Sequence, residues 1–192
     1  MMQDYWVNPA IFLIETLFGL YIFALLMRFL FQWTGADYQN PISQMLIRMT
    51  HPVLKWTRKV IPSIGRLDTA SVVLILGLQV LSDDLIFLLK GSTPSIAAVL
   101  VWSLAQLMEL ILNIFLFAVL ARALMSWLGP QAAYNPVASL LFSLTEPLLR
   151  LCRRMMPQTG GIDFSPLIPL IAIQLAKMLF LPPLQQLSAL LY

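Results

Sequence analysis

The sequence predicts an all-α membrane protein: four transmembrane helices in two parallel tandem repeats, each with a short amphipathic basic interfacial helix. Three observations predict it. Of the 192 residues, 59% are hydrophobic and only 11% charged, where soluble domains run near half and about a quarter, and the mean hydropathy is +0.82. Four stretches are long and apolar enough to cross a bilayer, which takes roughly 20 helical residues. The second half of the chain also repeats the residue pattern of the first in one register. Together these exclude a water-soluble globule and a disordered chain, and the single cysteine, Cys152, excludes a disulfide scaffold. A net charge of +3 is too small to indicate nucleic acid.

The first span is expected from about Pro9 to Trp33, the second from about Ala70 to Leu89 and the third from about Ser95 to Leu128. The third is long enough to tilt. The fourth runs from about Pro166 to Leu190 and is interrupted by Pro169, Pro182 and Pro183. Each of these removes a helical hydrogen bond, so the part beyond Leu181 is expected to kink or to lie in the interface. MMQDYWVNP carries no Lys or Arg ahead of the first apolar run, which lacks the charged region of a cleavable signal peptide, so the first span is expected to remain.

Basic residues set the orientation. Arg48, Lys55, Arg58, Lys59 and Arg66 lie between spans one and two, and Arg150, Arg153 and Arg154 between spans three and four, against Lys90 alone on the other side. Eight against one places both long connections in the cytoplasm and both termini outside.

The repeat is the most informative feature. An offset of 94 pairs Glu15 with Glu109, Arg28 with Arg122, Trp33 with Trp127 and Gly35 with Gly129. After a one-residue insertion, an offset of 95 pairs Asn40-Pro41 with Asn135-Pro136, Thr50 with Thr145, Pro52 with Pro147 and Arg58 with Arg153. It also pairs Pro62 with Pro157, Gly65 with Gly160, Asp68 with Asp163 and Gln79 with Gln174. Each unit is span, basic segment, span, so residues 9–89 and 95–192 form two parallel units related by an axis along the membrane normal.

The order of Arg and Trp at the end of a span, then Tyr-x-x-Asn-Pro or Tyr-Asn-Pro, Thr-x-Pro-[Leu/Val]-Leu, a basic pair and Pro-x-x-Gly-x-x-Asp resembles the YggT family (YlmG in Gram-positive and plastid relatives). The two copies read DYQNPISQMLIRMTHPVLKWTRKVIPSIGRLD and AYNPVASLLFSLTEPLLRLCRRMMPQTGGIDFSP. The resemblance implies a multi-pass protein of the bacterial inner membrane without a defined enzyme activity. It further implies links to osmotic tolerance and potassium handling, and in relatives to division or membrane-complex assembly.

Pro52 and Pro147 suit the first turn of a helix, where a missing N–H costs nothing. From each, a helix of about ten residues is expected, ending at Pro62 and Pro157. On a helical wheel Val53, Leu54, Trp56, Thr57, Val60 and Ile61 share one arc, opposite Lys55, Arg58 and Lys59. The second copy repeats this with Leu148, Leu149, Leu151, Cys152, Met155 and Met156 opposite Arg150, Arg153 and Arg154. Such helices would lie in the headgroup plane with their cations toward anionic lipid or a protein partner.

Ionisable residues within spans are costly, on the order of 2.5–3.5 kcal/mol near the centre on insertion scales. Arg28 and Arg122 stand five residues before Trp33 and Trp127, and their expected role is snorkelling to the headgroups, with clamping of the Asn-Pro carbonyls as the alternative. Glu15, Asp83, Asp84, Glu109 and Lys177, with Gln79 and Gln174 a turn deeper, form a polar band toward the outer leaflet. Its expected use is helix packing through a Lys177–carboxylate pair, and the alternative is a cation-attracting cavity. Asp68 and Asp163 are expected to cap the following spans.

No catalytic constellation is present. His51 is the sole histidine, so neither a zinc site nor a His-based triad can be assembled, and no phosphate-binding or dinucleotide motif occurs. No cofactor or metal is expected. The leading expectation is a non-enzymatic scaffold or accessory protein whose partners are the lipid bilayer, anionic lipids and other membrane proteins. The alternative is a small cation channel, which from four helices requires a homo-oligomer.

Overall fold

The computed structural model describes residues 2–62, 68–128, 135–153 and 165–192, and of 2–5 and 127–128 the backbone only. Gly65, Arg66, Arg154, Pro157, Gly160 and Asp163, all named above, lie outside the described residues. Six helices follow in order: α1 (Met2–Thr34), α2 (Pro41–Val60), α3 (Thr69–Leu89), α4 (Ile96–Leu128), α5 (Pro136–Arg153) and α6 (Leu167–Leu190). Among the described residues there is no strand. Four of the helices, α1, α3, α4 and α6, are long and apolar enough to span a membrane. Each coincides closely with an expected span.

The prolines of the fourth span do not break it. Pro169 falls in the first turn of α6, where no intrahelical donor is lost, and the helix continues through Pro182 and Pro183 to Leu190. Apolar surroundings favour this outcome, because a backbone that left the helix in hydrocarbon would expose many more unsatisfied groups than two prolines do.

The segments between spans differ from expectation. Helices α2 and α5 are 20 and 18 residues long, and Pro52 and Pro147 lie inside them rather than in their first turns. Both start at the Asn-Pro pair instead. The Asn40 side chain accepts from Ile42 N at 2.9 Å and the Asn135 side chain from Val137 N at 3.0 Å. Pro41 and Pro136 supply a preset φ where no donor is needed. His51 and Glu146, which precede the interior prolines, provide no such cap.

Within each half the two spans pack on one another, α1 on α3 and α4 on α6, while α2 and α5 lie across both spans of their own half. Helix α3 joins the halves through α4. The α3–α4 turn is closed by Gly91 at φ 70°, with Ser92 N donating to Phe87 O at 3.0 Å. This left-handed cap suits a glycine. The bundle thus has a turn end, carrying the α3–α4 turn, and a short-helix end, carrying α2 and α5.

Ile22, Leu25, Leu26, Leu30, Leu54, Ile75, Leu107, Ile114, Leu140 and Leu144 form the buried core. The halves are not used equally. Helix α5 also packs on α1 and buries Leu140 and Leu144 there. Their repeat counterparts on α2, Met45 and Met49, are 54% and 53% exposed. At the junction of the repeats, Asn40 Nδ2 donates to Pro136 O at 2.7 Å and to Ser139 Oγ at 3.0 Å, tying one Asn-Pro corner to the other.

Candidate functional site

Two polar centres occupy opposite ends of the bundle. At the short-helix end, each transmembrane arginine grips the Thr-x-Pro motif of its own repeat. Arg28 Nη1 donates to Thr50 Oγ1 at 2.7 Å, and Arg122 Nη1 to Thr145 Oγ1 at 2.8 Å. Each threonine hydroxyl in turn donates to the carbonyl one turn back, Leu46 O at 2.6 Å and Leu141 O at 2.7 Å. Both threonines are fully buried. The arginines therefore turn inward rather than snorkel, and they hold the middle of α2 and α5 rather than the Asn-Pro carbonyls. A buried hydroxyl with a free lone pair is a better-defined partner for a planar fork of donors than a mobile headgroup.

The second clasp is more complete. Arg122, only 7% exposed, also donates through Nη2 to Glu146 Oε2 at 2.8 Å and through Nη1 to Phe142 O at 3.3 Å, with its guanidinium 4.6 Å from the centre of the Phe142 ring. Hydrogen bonding from Arg122, against the opposing effect of burial, holds the Glu146 carboxyl below the usual carboxylate range, with help from the charges of Arg122, Arg153 and Arg150. The residue equivalent to Glu146 in the first repeat is His51.

The basic positions have varied surroundings. Arg58 pairs with the buried Asp68, which caps α3 by accepting from Ser71 N at 3.3 Å and Ser71 Oγ at 2.7 Å. Burial raises the Asp68 carboxyl, but hydrogen bonds from Arg58 and Ser71 and the charge of Arg58 outweigh it and leave it below its ordinary value. Arg150 and Arg153 lie 3.9 and 3.7 Å from Glu146 Oε1. Lys55 is exposed, and Lys59 Nζ lies 4.4 Å from the Trp56 ring centre. Of the apolar arc opposite the cations, Leu54, Leu149 and Cys152 are buried, whereas Val53, Trp56, Val60 and Leu151 are exposed.

At the turn end, Asp83 is buried between α3 and α4 and accepts three hydrogen bonds, from Gln79 Nε2 at 3.1 Å, Ser103 Oγ at 2.6 Å and Gln106 Nε2 at 2.8 Å. Between α4 and α6, Lys177 Nζ donates to Asn113 Oδ1 at 2.7 Å and lies 3.8 Å from Glu109 Oε1. The expected Lys177–carboxylate pair is therefore present. Asp84 and Gln174 are exposed. Ser103, Gln106 and Asn113 were not anticipated, although with Glu109 they recur at every third or fourth position of α4, which is one polar helix face.

Glu15, Asp83 and Glu109 line one cavity of about 720 Å³, together with Gly19, Gln79, Ser82, Gln106 and Asn113. The described acids do not close into a cluster that could hold a metal ion. The repeat explains why the cavity is there. Glu109, Asn113 and Lys177 of the second half correspond to Glu15, Gly19 and Ser82 of the first. The first half keeps the acid and replaces the amide and the ammonium with two small residues.

The sequence profile of the CCB3/YggT family matches residues 7–89 and 101–184, which are the two halves in turn. An uncharacterized protein of Pseudomonas aeruginosa is 37% identical over 90% of this chain and 88% of its own length. The YggT protein of Escherichia coli is 33% identical over 89% of this chain and 88% of its own. The ycf19 protein of Porphyra purpurea is 29% identical over 90 residues, 47% of this chain but 90% of its own length, so that relative is about one repeat long. No solved structure matches. With both repeats matched in register, the chain belongs to the CCB3/YggT family.

Proposed function

We propose that the chain is a non-enzymatic accessory protein of the bacterial inner membrane, a rigid helical scaffold that presents α2 and α5 to anionic lipid and to other membrane proteins. The observation that carries this reading is where the intramembrane polar groups go. Arg122, Asp83 and Lys177 are each hydrogen-bonded to a neighbouring helix, so each ties the bundle together, Asp83 while also lining the turn-end cavity. The core around Leu25, Leu30, Ile114 and Leu144 fills the bundle on the short-helix side of the cavity. The exposed row Met45, Met49, Val53, Trp56 and Val60 on α2 offers the apolar surface, and Lys55 and Lys59 the cations, of an interfacial helix. Links to osmotic tolerance and membrane-complex assembly fit a scaffold and rest on the family resemblance. A photo-crosslinking residue at Met45 or Trp56 in native membranes should give a discrete protein adduct that is absent with the same residue at Leu179 on α6. Absence of an adduct at both α2 positions overturns the reading.

A second reading, cation binding in the turn-end cavity, is favoured by the replacement of Lys177 by Ser82 beside Glu15. Potassium flux through liposomes containing the purified protein distinguishes the two. A scaffold leaves flux at the level of empty vesicles, and a conducting cavity raises it.

A further inference from the structure

The two arginine clasps differ by one counterion. In the second repeat the Arg122 guanidinium has a carboxylate built into the chain, Glu146 Oε2 at 2.8 Å. In the first repeat the same position is His51, exposed and at the surface of α2, and among the described residues Arg28 makes no ion pair; its described hydrogen bond goes to Thr50 alone. A guanidinium carries five N–H donors, so among the described residues most of those of Arg28 have no partner. Beside it lies a void of about 10 Å³ lined by Arg28, Tyr38, Ser43, Leu46 and Ile47, among others. That is about the room one water-sized oxygen needs. Ser43 is 5% exposed, and its buried Oγ has no hydrogen-bond partner. The second repeat has Ala138 at the equivalent position. The first repeat thus has a histidine and an unused hydroxyl where the second has a carboxylate and an alanine; Asp68, paired with Arg58, acts on Arg28 through its charge without an ion-pair contact.

We infer that Arg28 and Ser43 form a binding site for an oxyanion of the phosphate type, one oxygen of which enters the void and replaces the carboxylate that Glu146 supplies in the other repeat. Arg28 stands in the last two turns of α1, next to the short helix that carries Lys55 and Lys59, so a phospholipid headgroup and free phosphate can both bring that chemistry. The guanidinium supplies charge and paired donors, and the serine hydroxyl supplies a further donor.

The full-length protein provides the test. Native mass spectrometry from detergent counts retained phosphatidylglycerol, and thermal unfolding with inorganic phosphate, against chloride at matched ionic strength, reads the free anion. The wild type should retain one tight lipid, or be protected by phosphate. His51→Glu, which places a carboxylate where Glu146 stands, should weaken that binding at least about tenfold, the size of a lost charge-assisted hydrogen bond. Ser43→Ala should weaken it less, and Glu146→His should add at most a weaker second site at Arg122, where Ala138 supplies no hydroxyl. Lipid retention without phosphate protection assigns the headgroup, and protection by phosphate alone assigns the free ion. Equal binding by the wild type, His51→Glu and Ser43→Ala overturns the site, as does a folded wild type that neither retains the lipid nor is protected by phosphate.

Discussion

Arg122 donates to Thr145 Oγ1 at 2.8 Å across the α4–α5 contact, and the Thr145 hydroxyl in turn donates one turn back to Leu141 O. The threonine is both acceptor for a buried cation and donor within its helix, a double role valine cannot take. Thr145→Val should therefore lower stability by about 1–3 kcal/mol, since it takes the closer acceptor from a buried charged donor and leaves it Phe142 O at 3.3 Å. Thr145→Ser should restore most of it. Thermal unfolding in detergent measures both. If Thr145→Val unfolds no earlier than Thr145→Ser, the clasp contributes nothing.

The spans and the repeat were legible because both are read over many residues: 20 apolar positions average out single exceptions, and matching pairs in one register support one another. The short helices were misread because a proline fits a first turn by its ring geometry alone, and two prolines eleven residues apart, Pro41 and Pro52, both qualify. Asn40 decides between them, since its side chain caps the turn that follows. The partners of Arg28 and Arg122 were hidden for a different reason. A charge near a span end satisfies snorkelling and inward pairing equally in one dimension, and only packing places Thr50 and Thr145 within reach. A cavity in the polar band was the alternative the acids suggested, but its position lay in a difference between copies, Gly19 and Ser82 against Asn113 and Lys177, which a search for matches passes over.

Stability should fall in acid. Glu146 and Asp68 have folded values below their ordinary 4.5 and 3.8. The folded state therefore binds their protons more weakly than the unfolded state does. Their contribution is complete above those ordinary values and disappears as the pH falls through the lower folded ones. The melting temperature in detergent should be level from pH 7 to about 5 and drop below that. Glu146→Gln with Asp68→Asn should start lower at pH 7 and show a flatter acid limb. An unchanged acid limb in the double variant excludes these two groups as its source.

Asp83 and Asp84 are neighbours in sequence with opposite surroundings. Asp83 accepts from Ser103 and Gln106 of α4 as well as Gln79 of its own helix, whereas Asp84 is exposed. Interhelical hydrogen bonds in membranes average about 0.6 kcal/mol and reach about 1.7 kcal/mol. Asp83→Ala removes two of these and leaves their donors unpaired, so it should destabilise by about 1–3 kcal/mol. Asp84→Ala should change stability by less than about 0.5 kcal/mol, and Asp83→Asn should fall between. Equal melting temperatures for the two alanine variants would show that the α3–α4 contact does not depend on this carboxylate.

The first repeat can be rebuilt as the second. A side chain added at Gly19 meets no atom within 4 Å of its Cβ, and Ser82 lines the same cavity, so Gly19→Asn with Ser82→Lys has room to place an amide and an ammonium beside Glu15. The second half already holds that arrangement, with Lys177 Nζ 2.7 Å from Asn113 Oδ1 and 3.8 Å from Glu109 Oε1. The new lysine should neutralise Glu15 from within, and the double variant should fold with a melting temperature at or above that of the wild type. The consequence for cations follows directly. If the wild type raises potassium flux in liposomes through this cavity, the built-in ammonium should return flux to the level of empty vesicles, because a fixed charge of the same sign occupies the cation's place. Glu15→Gln should lower flux in parallel without filling the cavity. Flux that survives both changes in folded protein passes elsewhere, and the cavity is then a packing feature of the contact between the two repeats.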